Sequence, residues 1–168
     1  VMLLAAASVV AQQRDHQNRS QGEAELLAEF DRLQAAVQSA PQASQPSLLL
    51  QLSDSFLRLP EGKGRQQRLP TGAHATLQSG RNKIALELTT PADGNLHTNG
   101  ALLTIQLQAF ARLGRLKDFV RTLETHSSAA PDAAKNALRL EESRLLPLAA
   151  MALRTSDWPA GRAVFEYL

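Results

Sequence analysis

Cysteine is absent from this 168-residue chain, and aromatic residues make up only 4% of it. The first absence excludes a disulfide scaffold and any thiolate metal site, and is compatible with a reducing compartment. Alanine, leucine and glutamine carry the hydrophobic pattern instead, a mix that favours helix over strand. Charge of one sign is also scarce. The net charge of +2 is too small to steer a polyanion by itself. Long apolar runs are missing too. The longest, VMLLAAASVV at residues 1–10, is too short to span a bilayer and lacks the basic leader of a signal peptide. No membrane partner is expected. The chain starts at Val1 and stops at Leu168 inside an apolar-periodic stretch, which reads as a segment of a longer protein.

Reaction chemistry is equally hard to find. His16, His74, His97 and His126 are 58, 23 and 29 residues apart, without the short spacings of a helical zinc site. Gly62-Lys63-Gly64 lacks the preceding strand and following Ser/Thr of a phosphate loop. No nucleophile elbow is present. Glu141 and Glu142, adjacent on a helix, point about 100° apart and read as a solvated face with Arg139 and Arg144. The sequence therefore predicts no catalytic residue, metal ligand, cofactor or small-molecule substrate.

What is present is helical periodicity. In Asn99–Glu124, Leu103, Leu107, Phe110 and Ala111 make one stripe, and Leu116, Phe119, Val120 and Leu123 make another. Gln106, Gln108 and Arg112 are left for the opposite, exposed face. Gly114 sits between the stripes, where a helix ends at positive φ. These residues predict two short helices folded back on each other, needing similar neighbours to cover their other sides.

Elsewhere residues 1–13 read as a buried helix and Arg14–Asn18 as its exposed end or a turn. Ser20-Gln21-Gly22-Glu23 has the capping-box pattern and predicts a new helix with Leu26, Leu27, Phe30, Leu33 and Val37 on one stripe. Ser47 is a candidate N-cap for a helix ending at Pro60. Residues 60–80, with four glycines and two prolines, predict a long loop. Ile84–Leu88 fits strand or helix, and helix is favoured. PADGN at 91–95 reads as a turn, and Thr98 or Asn99 as a cap. A further helix starts at Pro131-Asp132 and is kinked or interrupted at Pro147. A last one starts at Ser156-Asp157-Trp158-Pro159, with Trp158 and Phe165 in the core. This gives three regions: paired helices in 1–60, a basic flexible loop in 61–80, and helical hairpins in 81–168.

The loop region carries the one concentration of charge. Lys63, Arg65, Arg68, Arg81 and Lys83 face a single acid, Glu61. Such residues could contact RNA phosphates. No aromatic is interleaved, so there is no stacking platform for bases, and a sequence-independent contact is expected.

Gly80-Arg81, Gly114-Arg115 and Ser156-Asp157 superpose as turns, spaced by 34 and 42 residues. LLTIQLQAFARLGRLKDFVRTLE resembles the pentatricopeptide repeat, with its first helix, turn and second helix. LAAMALRTSDWPAGRAVFEYL resembles a degenerate copy. The resemblance implies an all-α solenoid of stacked antiparallel helix pairs and a protein of the mitochondrial matrix that binds RNA. It also places a base-reading residue at Thr104, with apolar Leu146 as its counterpart in the next copy. Degenerate repeats of this kind resemble structural parts of ribonucleoproteins such as mitochondrial ribosomes, where ribosomal RNA and other proteins would be the partners. The tetratricopeptide repeat shares the period, and implies a protein-binding scaffold without RNA.

Overall fold

A computed structural model describes residues 2–90, 99–155 and 157–168, with side chains from residue 21 onward. Among these residues the chain is entirely helical: α1 (Met2–Ser39), α2 (Gln45–Arg58), α3 (Lys63–Gln78), α4 (Asn82–Thr89), α5 (Gly100–Arg112), α6 (Leu116–His126), α7 (Pro131–Ala152) and α8 (Trp158–Tyr167). The turn expected at 91–95 and the Thr98 cap lie outside the described residues. So do the side chains of residues 1–20, including the expected burial of the first helix. The chain divides into two compact units, 1–72 and 73–168.

In the first unit, α1 runs unbroken through Arg14–Asn18 and the expected cap at Ser20. A capping box works only where the chain enters from a non-helical conformation, and no glycine or proline precedes Gln21 to impose one. Phe30 and Leu33 of α1 are buried, as are Leu52 and Phe56 of α2 and Leu59 just after it. The Phe30 and Phe56 rings meet at 6.0 Å, tilted by 58°. Helix α2 begins two residues earlier than Ser47, with Ser44 at the cap position and Pro46 in the first turn.

The predicted loop at 60–80 is instead α3. Its glycines serve close approach. A Cβ on Gly72 would stand 2.1 Å from the Phe56 ring, and one on Gly64 would stand 3.0 Å from the Leu27 side chain. The glycine count suggests flexibility, but at Gly64 and Gly72 it reflects contact.

In the second unit α5 is central. It packs against α4, α6 and α7, while α8 packs on α6 and α7. Being covered from several sides, α5 buries all of Ile105–Ala111, Gln106 and Gln108 included. The expectation that those two glutamines lie exposed is thus corrected. Asn99 caps the helix, its side chain accepting from the Ala101 N–H at 2.9 Å.

The joints α3–α4 and α5–α6 are the same device. Gly80 and Gly114 take φ of +82° and +70°. At each, the glycine N–H returns to a carbonyl three residues back and the following arginine N–H to one five residues back, satisfying the helix end. Arg81 and Arg115 then open the next helices with φ, ψ of −83°, 55° and −86°, 64°. Burial repeats in the same register, 34 residues apart: Ala73 with Leu107, Leu77 with Ala111, Ala85 with Phe119, and Thr89 with Leu123. The architecture is repeat-like and all-α.

The third pair differs. Pro147 lies inside α7, which continues through it. The carbonyl it leaves unpaired belongs to Ser143, which is exposed like Pro147 itself, so water can satisfy it. In α8 the buried residues are Ala160, Gly161 and Val164. They correspond to Phe119, Val120 and Leu123 with a shift of 41, where the turn alignment assumed 42. One residue of slip rotates a helix by about 100°. Phe165 accordingly points outward at 44% exposure and Trp158 at 52%, which corrects their expected place in the core.

Candidate functional site

The five basic residues of 61–83 have different surroundings. Lys63 and Lys83 are exposed. Arg65 is half-buried. Its guanidinium donates to the Leu59 carbonyl at 2.9 Å, pairs with Glu61 at 3.1 Å and lies over the Phe56 ring. Arg68 chelates Asp31 through two bonds of 2.8 and 2.6 Å. The hydrogen bond from Arg68, helped by its charge, holds the Asp31 carboxyl below the usual range despite some desolvation. Arg65 and Arg68 therefore already serve the packing of α1–α3, and Arg81 stands half-buried at the cap of α4.

Thr104, the expected base-reading position, is half-buried on α5. Its hydroxyl lies 2.9 Å from the Gly100 carbonyl and 3.3 Å from that of Ala133 on α7. The hydroxyl proton is thus taken up by the backbone between these helices.

The most developed polar constellation lies where α5 meets α7. Glu141 is 2% exposed, on the α7 stripe that also buries Leu138, Leu145 and Ala149. That overturns its reading as a solvated residue; Glu142 beside it is exposed. Arg112 Nε donates to Glu141 Oε1 at 2.8 Å, and Gln108 Nε2 approaches the same oxygen at 3.4 Å. Arg144 reaches Oε2 at 3.3 Å from the solvent side. Arg112 also donates through Nη1 to the Leu77 carbonyl in the last turn of α3, at 3.1 Å. One guanidinium therefore bridges α3, α5 and α7. His74 of α3 keeps contact with solvent. Desolvation and, second, the Arg112 charge hold its imidazole below the usual histidine range. The signal for this cluster was legible: Glu141 falls between Leu138 and Leu145 at helical spacing, a charge on an apolar stripe.

As a reaction centre the cluster is poor. Its carboxylate is saturated by donors and closed to solvent, so it offers no route to a substrate. Among the described residues, no three of His, Asp and Glu gather where they could hold a metal ion. His126 lies at the end of α6, while the His16 side chain and His97 lie outside the described residues.

The second unit also exposes several large apolar side chains close together in sequence. Met151, Leu153, Trp158 and Phe165 are each at least 44% exposed. The charges around them, Arg154, Arg162, Asp157 and Glu166, balance in sign. A surface of this kind suits protein contact better than a phosphate backbone. No described helix is long and apolar enough to cross a membrane. The chain matches no protein-family model, no curated protein and no solved structure.

Proposed function

We propose that the chain is a non-catalytic helical-repeat component of a mitochondrial ribonucleoprotein, most simply its ribosome, contacting RNA backbone and neighbouring proteins. The observation that carries the reading is the Gly-Arg joint used twice at a spacing of 34 residues, with the same burial register on both sides. A helix pair of this length that leaves one face uncovered is the unit of a solenoid, and it agrees with the resemblance to pentatricopeptide repeats. The placement in mitochondria rests on that resemblance alone.

RNA contact in this reading falls to the exposed ammonium groups of Lys63 in the first unit and Lys83 in the second, the latter with Arg81 two residues before it. Arg65 and Arg68 contribute field more than direct contact, since their donors are engaged. Changing Lys63 and Lys83 together to Ala is expected to weaken RNA association and lower the slope of log affinity against log salt by about 2, roughly one per phosphate contact. Binding to homopolymer and ribosomal RNA across a salt series measures it. An unchanged slope removes these residues from the interface.

The scaffold reading without RNA draws on a separate observation, the exposed Met151, Leu153, Trp158 and Phe165. It predicts that W158A/F165A releases protein partners while leaving RNA recovery unchanged. Both substitutions lie on exposed positions, so the fold itself should tolerate them.

A further inference from the structure

Repetition creates a packing problem. Helices that carry similar stripes can cover one another in several registers with nearly the same apolar burial. Between their buried leucines and aromatics the stripes are also rich in alanine. Ala109 and Ala111 on α5, and Ala134, Ala137, Ala149 and Ala152 on α7, are all buried. An alanine surface offers little relief to resist a slide of one helical turn, about 5.4 Å. The same stripes on a second copy of the chain would serve as well as those of the first.

Where α5 meets α7 there is a charge pair, Arg112–Glu141, that only one register satisfies. Glu141 is closed to solvent, so a slipped α7 would leave it without Arg112 and Gln108. Arg144 would move with α7 and keep its 3.3 Å contact to Oε2, but Oε1 would lose both of its α5 donors, a cost greater than a few alanine contacts return. Arg112 adds a second constraint through the Leu77 carbonyl, which holds the end of α3 to the same point.

We propose that the Arg112–Glu141 pair is a registry pin, selecting a single stacking order of α3, α5 and α7 within one chain, and is not a source of net stability. Buried ion pairs elsewhere are often replaceable by apolar residues without loss of stability, and polar groups on otherwise smooth helical contacts can set register. The pin needs only its two ends. Arg144 reaches Glu141 from solvent and remains hydrated without it.

The test is the triple apolar replacement Q108L/R112M/E141L in the full chain. It removes the pair together with the amide that would otherwise lose its acceptor. The Leu77 carbonyl still accepts from the Gly80 N–H in this variant. The expected result is a denaturation midpoint equal to or above that of the unaltered chain, with loss of uniqueness. That loss reads as more than one amide resonance per residue across α5 and α7, or as a concentration-dependent dimer in light scattering. A variant with one resonance set and the parent's oligomeric state overturns the proposal, because specificity then survives without the pin. A variant that no longer folds also overturns it, because the pair is then a stabilising element. The single change E141Q, which keeps the shape and one acceptor oxygen while deleting the charge, should give the same loss of uniqueness in milder form.

Discussion

Glu141 is the residue on which the second unit is most sensitive. Removing Arg112 leaves the buried carboxylate with only the long contacts from Gln108 and Arg144, and removing Glu141 leaves Arg112 with the Leu77 carbonyl, so R112A or E141A is expected to destabilise by up to about 3–5 kcal/mol. Urea unfolding of the two single variants measures this. A loss near zero would mean that water already reaches the carboxylate. His74 gives the same neighbourhood a pH dependence. Its folded pKa lies below the ordinary histidine value of about 6.5, so the unfolded chain binds the proton more readily. Stability from this group is complete above about pH 6.5 and is lost as pH falls through the lowered folded value. His74→Gln should flatten that part of the profile while leaving stability at pH 8 unchanged, as read from thermal midpoints across pH 4–8.

At the level of elements, the joints were readable because they rest on local chemistry. Gly114 and Gly80 adopt the left-handed conformation that only glycine takes cheaply, and nothing but a wide contact with Leu148 stands near the position of a Cβ. G80A and G114A should therefore each cost about 1–2 kcal/mol from backbone strain alone. Matching losses in chemical denaturation would support one device used twice; a much larger loss at one would separate them. Gly72 works differently. G72A would drive a methyl into the Phe56 ring and should cost more, about 1–3 kcal/mol from overpacking, with F56L restoring part of the loss. From sequence alone these glycines look alike, which is why their number predicts a loop where α3 stands. Whether a glycine turns the chain or admits a neighbour depends on a partner, here Phe56, that is distant in sequence. Pro147 does not interrupt α7 for a related reason: a proline's missing hydrogen bond matters little where the residue whose carbonyl is orphaned is exposed.

Over the whole chain, helical class and the central α5–α6 hairpin were legible because stripe periodicity is a property of short windows. Residue-level burial was not, since it depends on how many neighbours surround a helix. Gln106 and Gln108 look like an exposed face until α7 and α4 are both in place around α5. The register of α8 turned on a single residue, and with it went the fates of Trp158 and Phe165. The buried Arg112–Glu141 cluster of the described residues reads as architecture. The functional proposal thus depends on an assembly, and an assembly can be weighed directly. Tagged chain should be sedimented from cell extract on a density gradient, with and without ribonuclease. The account predicts migration with a large RNA-bearing particle at low salt and a shift to light fractions after ribonuclease. Migration that ribonuclease leaves unchanged, with no RNA in the chain's fractions, would contradict it.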